Sequence, residues 1–461
     1  MRFEHELTLP HPREQVFAWH ERPGAIVRLT PPGLGRVETE PTDGIKDGST
    51  TVLRMAIPGS VGKAGIKWTA QHSGYQPPEK FEDEMTAGPM KAWHHTHRFA
   101  DTPDGGTVIQ DEIELELPAV AVGPARMIGE RIALRELSRV WAYRDRQLAF
   151  DLDFHARHPE TKTIAITGAT GMVGTQLTAF LRGGGHEVRR ITRGEPVGSD
   201  IQWDPAAGQL DAETLRDVDV VINLAGENIG KRFTDEHKRK VMDSRRDATG
   251  LIARTLASRA GDGRQRALIS ASASGYYGAD PGDEVLTEEH PGGEGFLADV
   301  VREWEASCQP ARDAGVRVVN VRTGIVQSAA GGQLQVQAPI FRLGGGGPLG
   351  DGRQWMPWIA VDDLVGIFAY AALHDDLSGP VNACAPGIVR NEEYAKTLAE
   401  VLHRPALVRV PRFGPRVLFN SDGVDEFVMA GQRMSNEKVS GWGYQFGYPD
   451  LEDALRHVLA R

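Results

Sequence analysis

Residues Thr163 to Gly174 read TIAITGATGMVG, a short β-branched run that breaks at Gly168, Gly171 and Gly174 and resumes as a helical pattern. Each glycine answers a different steric need. Gly168 lets the chain turn sharply off a strand, Gly171 lets the backbone approach a pyrophosphate, and Gly174 lets helix and strand pack closely. Ala169, Thr170, Met172 and Val173 complete the turn. The helix that starts there offers free N–H groups and the positive end of its dipole to phosphate. A strand precedes the turn, the helix GTQLTAFLRGGG follows it, and a second strand, HEVRRITR, comes after the glycine stop. This is the context that a dinucleotide site requires.

Outward from this turn, strand and helix patterns alternate. TIAIT, EVRRIT, DVVINLAG, RALISAS and VRVVNVRTG read as buried strands, each followed by a helical or loop segment. The alternation predicts a doubly wound parallel sheet with right-handed crossovers, an α/β domain over residues 162–385. Beyond it come a glycine-rich loop at Leu343 to Gly352, a helix from about Val361, and a mixed tail over 386–461 that is expected to build the substrate side of the cleft.

Residues 1–155 read differently. FEHELTL, STTVLRMAI, GIKWTAQHSGY, AWHHTHRF and TVIQDEIELEL alternate like half-buried strands between Gly, Pro and Asp turn signals. A helical pattern then runs from about Ala125 to Phe150, with Ile128, Ile132, Leu137, Val140, Trp141 and Leu148 near the helical period. Antiparallel strands followed by one long helix predict an α+β domain whose curved sheet grips that helix. The polar stretch His155 to Lys162 is the expected linker.

Composition narrows the function classes. The chain has 461 residues, which predicts two or three domains, and its charge of -11 argues against nucleic acid or an anionic membrane as the main partner. Cys308 and Cys384 alone make no disulfide framework and fit a reducing compartment. The N-terminus carries no apolar leader pattern, and the longest apolar stretch, Leu364 to Leu373, is too short to span a bilayer. A soluble cytoplasmic protein is the expectation.

The motifs carry a resemblance. TGATGMVG at Thr167 to Gly174, NLAG at Asn223 to Gly226 and SASASGYYG at Ser270 to Gly278 resemble the fingerprints of the extended short-chain dehydrogenase/reductases, which include nucleotide-sugar epimerases. GENIGKRFTDEHKRKVMDSR, RTGIVQS, GGPLGDGRQWMPWIAVDDL and the tail GPVNACAPGIVRNEEYAKTLAEVLHRPAL narrow it to the epimerase-family proteins with a C-terminal domain of unknown function. The N-terminal third, with REQVFAWHERPGAIVRLTPP and GPMKAWHHTHRF, is similar to the START-like (SRPBCC, Bet v 1-like) superfamily, which implies an apolar ligand cavity between sheet and helix. The resemblance implies a Rossmann domain holding NADP or NAD and acting on a small-molecule substrate. Asn223, Leu224, Ala225 and Gly226 would let backbone pass close to a ribose.

Arg193 closes the second strand, where an NAD enzyme would carry a ribose-reading carboxylate, and an arginine there pairs bidentately with a 2′-phosphate. NADP is therefore expected over NAD. Arg322 and Thr323 close a later strand and either line the nicotinamide side or serve the fold. The wider class transfers protons with a tyrosine and a lysine four residues on, yet none of the eight tyrosines has that lysine. The expected helix reads GEGFLADVVREWEAS, with Phe296 or Leu297 and Val300 or Val301 at those places. Ser272 stands like the class's serine, and Tyr276 and Tyr277 follow within reach of the same strand end as proton donors or as packing.

His95 and His97 share a strand face beside His94, but the sequence offers no obvious third ligand, so no metal is expected. Trp355, Trp358 and Asp362 are expected to close the cleft, Asp362 as a helix N-cap, and LGGGGPLGDG to move over the substrate. The leading expectation is an NADP-dependent oxidoreductase of the epimerase-like subgroup, acting by hydride transfer. The alternative is a non-catalytic NADP-binding sensor or carrier coupled to a hydrophobic-ligand domain. A third reading has the N-terminal domain delivering an apolar substrate to the reductase.

Overall fold

The computed structural model describes residues 1–56, 65–118, 124–406, 408–411 and 423–461. The chain divides into two compact units. One comprises Met1–Pro159 with Ala179–Gly185 and His457–Arg461; the other comprises Glu160–Thr178 and His186–Arg456.

The first unit is built on a seven-stranded sheet, β1 (Arg2–Leu9), β2 (Gly35–Thr39), β3 (Thr50–Ala56), β4 (Gly65–Gln76), β5 (Lys80–Ala87), β6 (Ala92–Asp101) and β7 (Thr107–Glu116). Its order is β1-β7-β6-β5-β4-β3-β2 and every pairing is antiparallel. Two short helices, α1 (Arg13–Glu21) and α2 (Ala25–Arg28), separate β1 from β2, and the long helix α3 (Pro124–Arg157) follows β7. Trp141, Leu148 and Leu152 bury one stripe of α3 with Phe3, Ile113, Phe17, Phe81 and Phe99 from the sheet and α1. Arg28 and Asp151, both fully buried, join in a two-point ion pair at 2.8 and 3.0 Å.

Three sequence expectations need correction in this unit. The helix continues seven residues past Phe150, through part of the expected linker. Strands β2 and β5 were hidden in charged sequence, since the acidic residues of GRVET and KFEDEMTA interrupt the apolar alternation. Ile128 and Ile132 are exposed, because the packing of α3 on the sheet begins at Leu134. Residue Ile57, the end of STTVLRMAI, lies outside the described residues.

The second unit has a sheet of β8 (Thr163–Thr167), β9 (Glu187–Thr192), β10 (Ile201–Asp204), β11 (Gln209–Leu210), β12 (Val220–Asn223), β13 (Ala267–Ala273), β14 (Arg317–Thr323) and β18 (Gly379–Ala383), the small strands β15 (Ile325–Gln327), β16 (Trp355–Met356) and β17 (Trp358–Ala360) lying outside it. The order is β11-β10-β9-β8-β12-β13-β14-β18, parallel except for the β10–β11 edge. Chain order reverses between β8 and β12, the switch point at which open α/β sheets bind ligands beyond the carboxyl ends of their strands. The crossovers include α4 (Met172–Gly183), α5 (Asp235–Ser258), α6 (Phe296–Ala306) and α7 (Gln309–Asp313). Thr234 caps α5, its hydroxyl accepting from the His237 N–H at 3.2 Å. Leu251, Ile252 and Leu256 of α5 pack on Val221, Leu268 and Val318 of the sheet, which explains why those strands read as continuous apolar runs.

After β14 come α8 (Gly332–Arg342), α9 (Val361–Leu373) and α10 (Asn391–Val401). Helix α9 is buried along almost its whole length, which accounts for its apolar sequence. Among the described residues, no helix is long and apolar enough to cross a membrane.

Candidate functional site

The glycine turn sits at the switch point, and its three glycines differ in what surrounds them. Gly168 has φ +66°, and a Cβ there would lie 2.8 Å from the Leu224 carbonyl oxygen. A Cβ on Gly174 would run into the Gly168 carbonyl and lie 2.8 Å from the Ala169 Cα. Gly171 is exposed, and the nearest atom to a Cβ there is the Gly168 oxygen at 3.2 Å. The turn is therefore tightest at its first and third glycines and less crowded at the second. Ala169 and Thr170 form the bend, while Met172, Val173 and Gly174 contribute the first-turn N–H groups that a helix leaves without internal acceptors. This cradle fits a pyrophosphate.

The neighbouring NLAG segment is braced from below. Thr167 Oγ1 donates to Asn223 Oδ1 at 2.7 Å and accepts from the N–H groups of Leu224 and Ala225 at 3.0 and 3.1 Å. Asn223 Nδ2 donates to Thr249 Oγ1 at 2.8 Å. The Asn223 side chain is thus consumed by the fold, and the partly exposed backbone of Leu224, Ala225 and Gly226 forms the rim. Arg193 stands exposed just past β9, without a hydrogen bond or ion pair among the described residues.

Sequence reasoning missed Arg245 of α5. Its guanidinium lies beneath Gly226, donates to the carbonyls of Glu227 and Val241 at 3.1 Å, and sits 5.0 Å from the Trp304 ring centre. Burial pulls its pKa down to about 10, with Glu227 opposing.

The expected catalytic residues meet in a second cluster at the ends of β13 and β14. Ser272 is buried and donates to Glu305 Oε1 at 2.6 Å. Glu305, on α6, also takes a two-point ion pair from Arg322, Nε to Oε1 and Nη2 to Oε2, both at 2.9 Å. Arg322 Nη1 donates to the Tyr277 hydroxyl at 3.1 Å, and the guanidinium carbon lies 3.4 Å from the centre of the Tyr276 ring. The Tyr277 hydroxyl faces Asn382 Oδ1 at 2.7 Å and the Thr287 carbonyl at 3.0 Å. Burial pushes its pKa up to about 12, so it stays protonated at neutral pH.

The two tyrosines therefore have different surroundings. Tyr277 is buried with its hydroxyl fully engaged, whereas Tyr276 is half-buried and its hydroxyl has no partner among the described residues. Arg322 turns its charge onto Glu305 and the tyrosines. A cleft of about 450 Å³ opens beside them, lined by Tyr277, Asp280, Glu284, His290 and Glu294. At the positions where the wider class carries tyrosine and lysine, α6 presents Leu297, Val300 and Val301, all buried. Glu305 and Asn382 carry no local motif; only the fold, which sets them 33 and 105 residues from their partners Ser272 and Tyr277, reveals them.

Two expectations about the residues around the start of α9 fail. Trp358 is core, its Nε1 donating to the Gly387 carbonyl at 2.8 Å, and the residue before α9 is Ala360, so Asp362 is not the N-cap. The glycine-rich loop is fastened: Gly347 packs against the Val408 backbone, and the Leu349 N–H donates to Asn391 Oδ1 at 2.8 Å.

The family model "NAD dependent epimerase/dehydratase family" matches residues 164–384, and "Domain of unknown function (DUF1731)" matches 410–458. An epimerase family protein of Mycobacterium bovis is 38% identical over 300 residues, covering 65% of this chain and 98% of the relative. The crystal structure of a nucleoside-diphosphate sugar epimerase from Corynebacterium glutamicum is similar over 100% of this chain and 90% of its own, at 36% identity and TM-score 0.81. Human epimerase family protein SDR39U1, solved with NADPH, matches 64% of this chain and 98% of its own, at 32% identity and TM-score 0.58.

Proposed function

The chain belongs to the NAD-dependent epimerase/dehydratase family, and from that premise we propose that it binds NADP at the Gly168–Gly174 turn and acts as an oxidoreductase on a small carbonyl or alcohol substrate. The carrying observation is the glycine cradle, where a Cβ would clash at Gly168 and Gly174 and would be less crowded at the exposed Gly171. The first-turn N–H groups would hold the pyrophosphate, and the Leu224–Gly226 backbone would pass the ribose. Arg193, exposed and without a partner among the described residues where a carboxylate would select NAD, favours the 2′-phosphate, and the NADPH bound to human SDR39U1 supports the same choice.

Bound NADPH supplies a hydride. Tyr276 is the side chain suited to give the matching proton to a carbonyl oxygen, because its hydroxyl has no partner among the described residues, while Arg322 holds the ring in place. Ser272 positions Glu305, which in turn orients Arg322. Sugar epimerisation fits poorly, since no lysine accompanies the tyrosine to make it a base. The test is calorimetric titration of the purified chain with NADPH and separately with NADH. Preferential binding of NADPH is expected, and binding of neither cofactor overturns the reading.

One observation favours a second reading. Ser272, Tyr277 and Arg322 spend their polar groups on one another and on Glu305, as in a structural network. A non-catalytic NADP sensor or carrier would need no more. The N-terminal unit, whose antiparallel sheet and terminal helix support a START-like assignment, would then be the ligand-binding partner. Cofactor bound without oxidation of NADPH across a broad carbonyl panel selects this reading.

A further inference from the structure

The first unit holds a group of chemistry-bearing side chains that the dinucleotide site does not use. His95 and His97, two apart on β6, project to one sheet face. The register places Asp83 of β5 directly opposite His95, and Asp111 of β7 directly opposite His97, so all four share that face. Trp141 of α3 covers them, its Nε1 donating to Asp111 Oδ2 at 2.7 Å, and Phe81 stacks on the His97 ring at 4.1 Å. The side chains of His95 and His97 are 4% and 11% exposed, those of Asp83 and Asp111 18% and 11%.

Asp111 Oδ1 lies 3.2 Å from His95 Nε2 and 2.7 Å from His97 Nδ1. One carboxylate oxygen is thus placed to accept an N–H from each ring, in the tautomers protonated at His95 Nε2 and His97 Nδ1. With those protons assigned, the opposite ring nitrogens, His95 Nδ1 and His97 Nε2, present lone pairs toward Asp83 Oδ2 at 3.1 and 3.6 Å. All three donor atoms lie within 4.8 Å of one another. Lone pairs converging in a buried space repel unless a cation lies between them. Tetrahedral bonds of metal–nitrogen length set donors about 3.4 Å apart, and the two nitrogens stand 3.1 and 3.6 Å from Asp83 Oδ2. Histidine ligands characteristically give their second N–H to a carboxylate, which is the role Asp111 fills for both rings.

We propose that Asp83, His95 and His97 bind one divalent transition-metal ion of the zinc class, with Asp111 as the outer carboxylate that fixes both imidazoles. Two nitrogens and one carboxylate oxygen suit zinc, and three protein ligands leave a position for water or substrate. The competing arrangement places a second proton on each imidazole and forms a buried imidazolium–carboxylate cluster without metal.

The test uses the full, tag-free chain after chelator dialysis, titrated with Zn(II) and with Co(II). Uptake of one equivalent is expected, with cobalt showing the intense ligand-field bands of a low-coordinate nitrogen–oxygen site. His97→Gln and Asp83→Asn should abolish uptake, and Asp111→Asn should weaken it roughly 10- to 100-fold. Circular dichroism checks that each variant folds. Because a variant could unfold, the wild-type cobalt spectrum is decisive by itself. The pale spectrum of hydrated cobalt after one equivalent, or uptake undiminished in a folded His97→Gln chain, overturns the proposal.

Discussion

Glu305 and Arg322 are joined by two parallel charge-assisted hydrogen bonds of 2.9 Å, with 14% and 3% of their side chains exposed. Removing one member of such a buried pair leaves the other charge without compensation, at about 3–5 kcal/mol. Glu305→Gln should therefore lower unfolding stability by an amount in that range, read from urea denaturation. The same change frees Ser272 and releases Arg322 from its place over Tyr276, so any NADPH-dependent turnover should fall further than stability alone explains.

The glycine turn makes opposite predictions for adjacent glycines. Gly174→Ala forces a Cβ into the Gly168 carbonyl, where backbone must shift, and should cost both stability and cofactor binding. Gly171→Ala meets one backbone atom, the Gly168 carbonyl oxygen at 3.2 Å, and should cost less stability than Gly174→Ala while abolishing NADPH binding. Thermal melts paired with cofactor titration separate the two. Equal loss of binding and stability in both variants would count against the cradle.

These particular residues also show how far the sequence could be read. Continuous apolar runs made β8, β12, β13 and β14 legible, because burial on both faces leaves a local mark in composition. Strand β5 left no such mark, since Glu82, Asp83 and Glu84 interrupt its alternation. Register is a non-local property, so nothing near His95 or His97 revealed that Asp83 and Asp111 lie opposite them. For the same reason Ser272 was legible from its motif while Glu305, its partner on a different helix, was not.

Arg193 and its surroundings predict cofactor preference. The side chain is exposed and has no partner among the described residues, so Arg193→Ala should leave stability within about 0.5 kcal/mol. A charge-assisted hydrogen bond to a phosphate contributes about 1.5–3 kcal/mol, so NADPH affinity should fall roughly 10- to 100-fold. NADH affinity, which involves no 2′-phosphate, should not change. Calorimetry with both cofactors checks this, and a parallel loss of both would assign the arginine a different role.

Tyr276 and Tyr277 should respond differently to loss of their hydroxyls. Tyr277→Phe leaves Arg322 Nη1 and Asn382 Oδ1 without the partner they face at 3.1 and 2.7 Å, at about 1–3 kcal/mol of stability. Tyr276→Phe removes a hydroxyl with no described partner and should be nearly neutral in denaturant unfolding. If the chain oxidises NADPH, Tyr276→Phe should remove that activity while cofactor binding survives.

Asp363, near the start of α9, gives the pH dependence of the second unit. Burial pushes its pKa up to about 7 against hydrogen bonds from the Gly447 and Tyr448 N–H groups and the Tyr444 hydroxyl, with neighbouring Asp362 adding repulsion. An unfolded aspartate titrates near 4, so between about pH 4 and 7 the folded state binds the proton that the unfolded state has lost. Its contribution is then fully present below pH 4 and is lost as pH rises through 7, with a slope of about 1.4 kcal/mol per pH unit inside that window. Asp363→Asn cannot titrate. Although it sacrifices an acceptor for one backbone N–H, its stability should vary less from pH 4.5 to 7.5 than that of the parent chain. Denaturant unfolding across that range measures the difference, and parallel profiles would show that Asp363 is ionised throughout.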